Sequence, residues 1–529
     1  MRVLLVEPDY KGNSFQARKM AEEAKANPRK RKDDESLWYP PLGLMKLATF
    51  HKNRGDHVQF VYGCDKSIFK EADLFSPGIL WDRVYISTLF TFQWDTTFQT
   101  INFYKDAVGG SNSKIIVGGI MASLVPEQIH RATNIFPVTG VINSSQKVFL
   151  DGDENIDLLP PDYDILDKNL YAINDTYYGY TTRGCVKKCS FCGVPDIEPE
   201  YIDYIDIKPV ISQLRDKYGD KPRLKLMDNN VLPSKQLGRI VEDLLELGYG
   251  RGQFANGYPR KTRVIDFNQG LDASRITEKT MPLLAKLNIR PMRIAFDRLK
   301  DKEIYVRAVE LAKDHGVTDF SNYMLYNWRD TPRDLYERLK INIELNEKWR
   351  KGKRIKGPAI YSYPMRYAPI KEIDASESSR KRDYSPPILK GQKDFLKEAV
   401  WTPKFRRNIE IMKGAAFGAI SPTPTLARRT IGKNYQEFIA NLYMPSELLR
   451  NRDKYEKKKY NKGRAGTGDI EEFRKFVLKR LKKPNESFPD LYEVIVQNKK
   501  AAIKGYLEKC SDNEERKWLK FYLDLNRVD

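Results

Sequence analysis

Cysteine and histidine are scarce in this chain of 529 residues, which has five of the first and four of the second. An odd cysteine count in so long a chain argues against a disulfide framework. The histidines (His51, His57, His130 and His315) show none of the paired spacing of a zinc site. Long apolar runs are also missing. No stretch approaches the ~18 apolar residues that would cross a bilayer, and the run in MRVLLVEPDY is too short for a signal peptide. The expectation is a cytoplasmic protein with no membrane segment. Acidic residues are outnumbered, 71 Asp and Glu against 92 Lys and Arg, for a formal charge of +21. That excess favours a polyanionic partner and says nothing about fold. Hydrophobic residues at 41% are enough for packed cores, and the length implies two or three domains.

The order of apolar segments predicts an α/β protein. Over residues 1–150, RVLLVE (Arg2–Glu7), HVQFVYG (His57–Gly63), RVYISTLFT (Arg83–Thr91) and KIIVGG (Lys114–Gly119) read as strands. Helices at Pro40–Gly55 and Gln93–Val108 alternate with them, the pattern of a Rossmann-like, doubly wound parallel sheet. A polar insertion, Gly12–Leu37, carries the basic run Arg29–Lys32 and reads as a loop. Residues 151–176 are acidic and proline-containing, a linker. From 177 to 375 strands recur at Arg223–Asn230, Arg263–Asp272, Met292–Asp297, Ser321–Asn327 and Ala359–Tyr367, with amphipathic helices such as Lys302–His315 and Pro332–Trp349 between them. This predicts a partial or full (β/α) barrel, whose working residues sit where strands pass into the following loops. Residues 376–529 read as a basic, mainly helical region. The last 150 residues (380–529) hold 35 Lys and Arg against 20 Asp and Glu, most of the net charge.

Three of the five cysteines fall within eight residues, in TTRGCVKKCSFCGVP: Cys185, Cys189 and Cys192. Three thiolates spaced x3 and x2 can wrap one face of a small cluster of soft metal ions. A four-iron cube held by three cysteines keeps one iron open for a small molecule. A structural zinc site would want a fourth ligand, yet Cys64 and Cys510 are remote. A metal-free apolar core is disfavoured by Lys187 and Lys188 between the cysteines.

This C-x3-C-x2-C pattern, with Phe191 before the last cysteine, resembles the signature of the radical S-adenosylmethionine (radical SAM) superfamily. The resemblance implies an enzyme in which Cys185, Cys189 and Cys192 ligate a [4Fe–4S] cluster and the open iron chelates S-adenosylmethionine. One electron then cleaves the sulfonium, and the resulting 5′-deoxyadenosyl radical abstracts a substrate hydrogen. It also implies a reducing electron donor as partner. Phe191 is placed near the adenine. Asp228, Asn229 and Asn230 in LMDNN stand where the family contacts the methionine amino group, though the Gly-Gly-Glu form is absent. Gln269, Asp272 and Arg275 in NQGLDASR are placed toward ribose or carboxylate. Each of these polar residues could equally cap a turn. Asp297, Asn327 and Arg366 end later strands, toward the substrate.

Residues 1–150 are similar to the amino-terminal domain of cobalamin-binding-type radical SAM enzymes. Ser87, Thr88, Gly118 and Gly119 lie at strand ends, where such sheets take ligands. Cobalamin is a candidate there, but the loop after the first strand, EPDYKG, lacks the cobalt-binding histidine, which leaves binding without it, or none, open. In the basic region, KFRRN and RNRDKYEKKKYNKGR mix cations with aromatic rings, which suits phosphate neutralisation and base stacking. Arg406, Arg407, Lys457, Lys458 and Lys459 are the candidate nucleic-acid contacts; the plainer alternative is a solvated charged face.

The expected function is hydrogen abstraction from a bulky substrate, a nucleic-acid base or modified nucleotide first. The alternatives are a cobalamin-dependent methyltransferase acting on a small metabolite or peptide, and a nucleic-acid-binding protein with a structural metal site.

Overall fold

Strand β1, Arg2–Glu7, is apolar at four consecutive positions, and Val3, Leu4, Leu5 and Val6 are fully buried. A strand apolar on both faces belongs in the middle of a covered parallel sheet. In the computed structural model, β2 (His57–Tyr62), β3 (Arg83–Thr88) and β4 (Ile115–Gly119) join it in the order β2-β1-β3-β4, all parallel. Leu4, Val6, Val84, Ile86 and Val117 pack on one face with Ile101 and Tyr104 of the helix Trp94–Tyr104. Val3, Leu5, Tyr85 and Ile116 pack on the other with Leu44, Leu47 and Phe50 of the helix Leu42–Asn53. The sheet is therefore covered on both sides, as the alternating pattern predicts. The structure describes residues 1–10, 37–69, 81–258, 260–350, 357–368, 395–396, 399–414, 418–458 and 465–523. Nearly all of the polar insertion, including Arg29–Lys32, lies outside the described residues.

The chain divides into two compact units. The first contains Met1–Leu271 and Glu278–Arg290; the second contains Asp272–Thr277, Pro291–Ala368 and the described residues of Asp383–Asp529.

Within the first unit a second parallel sheet has the order β5-β6-β7, formed by Thr176–Gly179, Arg223–Leu226 and Val264–Phe267. Gly179 lies opposite Leu226, and Leu226 opposite Phe267, so the three carboxyl ends are level. Whatever follows them meets at one edge. The second unit has its own parallel sheet, β10-β9-β8, from Ala359–Arg366, Asp319–Tyr326 and Met292–Arg293.

Among the described residues the strands expected of a partial or full barrel form two three-stranded parallel sheets, one in each unit, and Ile265 of β7 makes one further parallel bridge, to Ile289. Sequence explains the short β8. It has two residues and follows Pro291, which has no amide hydrogen to give to a ladder.

The basic carboxyl-terminal region is helical where described, with helices that include Pro403–Gly414, Pro424–Ile431, Tyr435–Tyr443, Asp469–Lys482, Phe488–Val496 and Asn513–Leu523. Phe405, Phe438, Tyr443, Phe473 and Trp518 form its buried interior. Among the described residues no helix is long and apolar enough to cross a membrane.

Candidate metal and cofactor site

The cysteine loop begins where β5 ends. Thr181 and Thr182 turn the chain there, and both are held by Asp228, which follows β6. The backbone amide of Thr181 donates to Asp228 at 3.0 Å, that of Thr182 at 2.5 Å, and the two hydroxyls at 2.7 and 2.8 Å. Asp228 is 2% exposed. Burial pushes its carboxyl up, against the pull of the threonine donors. Its oxygens face the start of the loop, so the structure makes Asp228 an anchor for that loop.

The next residue, Arg183, is the second anchor. Its guanidinium donates to Asp157 Oδ2 at 2.9 Å and to Glu198 Oε1 at 2.7 Å, and lies 3.3 Å from the centre of the Tyr180 ring. Lys46 donates to Asp157 at 2.8 Å, so two cations and two carboxylates balance in a buried group. Burial opposes the charge on Asp157, but Lys46 and Arg183 hold its carboxyl below the usual range. Burial lowers Lys46. Glu198 also accepts from the amide of Gly184 at 2.6 Å and from Asn229 Nδ2 at 2.7 Å. Gly184 has φ +72°, and a Cβ there would stand 2.2 Å from the carbonyl oxygen of Glu200. Only glycine fits between the Arg183–Ile202 bridge and the first cysteine. This group also lines a cavity of about 650 Å³ with Tyr178, Tyr180 and Ile207.

From this root the loop carries Cys185, Cys189 and Cys192, all half-buried. The amide of Lys187 and Asn230 Nδ2 each donate to Cys185 Sγ at 3.4 Å. Asn230 is 5% exposed, and its Oδ1 is buried with no hydrogen-bond partner among the described residues. Phe191 is half-buried on the same loop. Among the described residues no three His, Cys, Asp or Glu side chains gather closely enough to hold a single metal ion. The donor set nevertheless suits an iron–sulfur cluster, because three soft thiol ligands share one loop and Cys185 Sγ receives N–H bonds from a backbone amide and a side-chain amide.

The remaining sequence candidates divide. Asn229 and Asn230 stand beneath the cysteine loop. Gln269, after β7, is exposed. Asp272 and Arg275 fall in the second unit. There Asp272 accepts from the amide and hydroxyl of Ser274 at 3.1 and 2.7 Å, a turn cap, while Arg275 is exposed. In the first sheet, Thr88 Oγ1 donates to the Gly118 carbonyl at 2.8 Å and accepts from the Ala122 amide at 2.9 Å. Gly119 has φ +105°, and a Cβ there would lie 2.3 Å from the Thr88 carbonyl oxygen. That close approach between strands requires the glycine. The Ser87 carbonyl accepts from Tyr10.

The basic candidates need a correction. Arg406 is 1% exposed inside the helical region, because the helix Pro403–Gly414 turns it inward with Phe405 and Ile409. Arg407, Lys457 and Lys458 are exposed; Lys459 lies outside the described residues.

Sequence reading missed Lys46, Asp157, Arg183 and Glu198. Only Arg183, inside TTRGC, carried a local hint.

No family profile matches the chain, and no curated protein matches it. A solved structure titled a crystal structure of HydG, a maturase of the [FeFe]-hydrogenase, aligns at 14% identity with a TM-score of 0.30. The alignment covers 76% of this chain and 93% of that one. A likeness of that size carries no argument about activity.

Proposed function

We propose that the chain is a radical SAM enzyme whose [4Fe–4S] cluster is held by Cys185, Cys189 and Cys192. The observation that carries this reading is the placement of those cysteines. They lie on a doubly anchored loop beyond β5, with amide hydrogens from Lys187 and Asn230 aimed at the first sulfur. When bound, the cluster supplies the one-electron reduction that breaks the sulfonium C–S bond of S-adenosylmethionine, so that hydrogen can be taken from a substrate. Asp228 and Glu198 position the loop. Asn230 keeps a buried acceptor, Oδ1, that suits the ammonium of the cosubstrate. Phe191 offers an apolar face to adenine. Cobalamin is left out of the proposal, since the loop after β1 lacks the cobalt-binding histidine.

The substrate we infer is polyanionic, a nucleic-acid base or modified nucleotide. The charge excess of residues 380–529 and the exposed Arg407, Lys457 and Lys458 support it.

Anaerobic iron and sulfide analysis tests the reading. Reconstituted protein should contain about four irons per chain and release 5′-deoxyadenosine under reduction. Cys189→Ala should lose both while remaining folded. Zinc in place of iron, or cleavage unaffected by Cys189→Ala, overturns it.

A further inference from the structure

In the second unit the short helix Arg452–Tyr455 sets Arg452 beside the helices Pro424–Ile431 and Asp469–Lys482, which carry Arg429 and Arg474. The three guanidinium groups are not equivalent. Arg429 is tied to Glu456 at 2.8 Å and to Asp453 at 2.5 Å. Arg474 is tied to Asn441 Oδ1 at 3.2 and 2.9 Å, with Glu437 at 4.0 Å. Arg452 Nη2 is buried and has no hydrogen-bond partner among the described residues.

A buried guanidinium nitrogen without an acceptor is costly, and native structures rarely leave one without water or an ion. Nearby Glu456 and Asp453 pair with Arg429. Burial and the like charges of Arg474 and Arg429 push Arg452 down, to about 10, against the attraction of Glu456 and Asp453. An oxyanion placed there would give Arg452 Nη2 its missing acceptor. Arginine forks suit tetrahedral oxyanions in particular.

We propose that Arg452, flanked by Arg429 and Arg474, is the floor of a phosphate-binding site in the helical region. The phosphate is either free or part of a nucleic-acid backbone. The site stands independently of the cysteine loop and needs no cluster.

The full-length chain is titrated with sodium phosphate against sodium chloride at equal ionic strength, with the thermal midpoint as readout. Phosphate is expected to raise the midpoint in a saturable way. Arg452→Gln should weaken the apparent affinity at least tenfold. If that variant fails to fold, Arg452→Lys, which keeps the charge but loses the fork, should show the same direction of change. A short single-stranded oligonucleotide that competes with phosphate at wild-type Arg452 assigns the group to a nucleic-acid backbone. A titration indifferent to the oligonucleotide assigns it to free phosphate. A midpoint that responds equally to phosphate and chloride overturns the proposal, and so does an unchanged phosphate affinity in both variants.

Discussion

Asn230 Nδ2 donates to Cys185 Sγ at 3.4 Å, which links the end of β6 to the first cysteine of the loop beyond β5. The two residues are 45 positions apart in sequence, and the level strand ends bring them together. Hydrogen bonds to cluster sulfurs are among the factors that set a cluster's reduction potential. If the proposed cluster is bound, Asn230→Leu should therefore leave iron content close to that of the wild type and shift its potential downward. Potentiometric titration followed by electron paramagnetic resonance measures this. An unchanged potential would show that the amide does not act on the cluster.

Glu198 holds Arg183, the Gly184 amide and Asn229 at once. Removing one partner of a buried ion pair typically costs about 3–5 kcal/mol. Glu198→Ala should lower the urea midpoint of the first unit's transition and reduce iron retention together. Loss of iron with no loss of stability would contradict the anchoring role.

The glycine pair that ends β4 tests the packing account. Gly119→Ala places a methyl 2.3 Å from the Thr88 carbonyl oxygen at a left-handed φ, so destabilisation of about 1–3 kcal/mol or more is expected. Gly118→Ala meets only the Val138 carbonyl oxygen, at 3.7 Å, and should be nearly neutral. Denaturant midpoints of the two variants check this; equal effects would refute the packing account.

In the second unit, burial pushes the Asp330 carboxyl up to about 6, against the pull of Arg338, the Trp328 amide and Trp401. A folded-state pKa above the unfolded one means that the folded form holds the proton more tightly. This group's contribution is fully present below about pH 4 and is lost as pH rises through about 6. Asp330→Asn keeps an acceptor for Trp401 Nε1, which sits 3.1 Å away, and should flatten that fall. Urea midpoints between pH 4 and 7 for the two proteins decide it. Parallel profiles would rule out Asp330 as the source.

Much of the fold was legible in the sequence because buried parallel strands are apolar without interruption. RVLLVE and KIIVGG could be little else, and their partner helices repeat at a helical period. The clustering of the three cysteines was legible because their spacing is local. The sheet boundary was not. A partial and a full barrel share the same strand pattern, and which strands pair in a ladder is a non-local choice; β8, for example, keeps only two residues after Pro291.

Side-chain partners were equally hidden. By itself the sequence determined which residues have donor atoms and where strands and helices start. Tertiary structure alone decided that Asp228 faces Thr181 and Thr182, that Lys46 and Asp157 meet Arg183 from more than twenty residues away, and that Arg406 points inward while Arg407 points out. Charge and hydrogen-bonding capacity are carried by each residue, whereas burial and the choice of partner arise only when distant segments pack together.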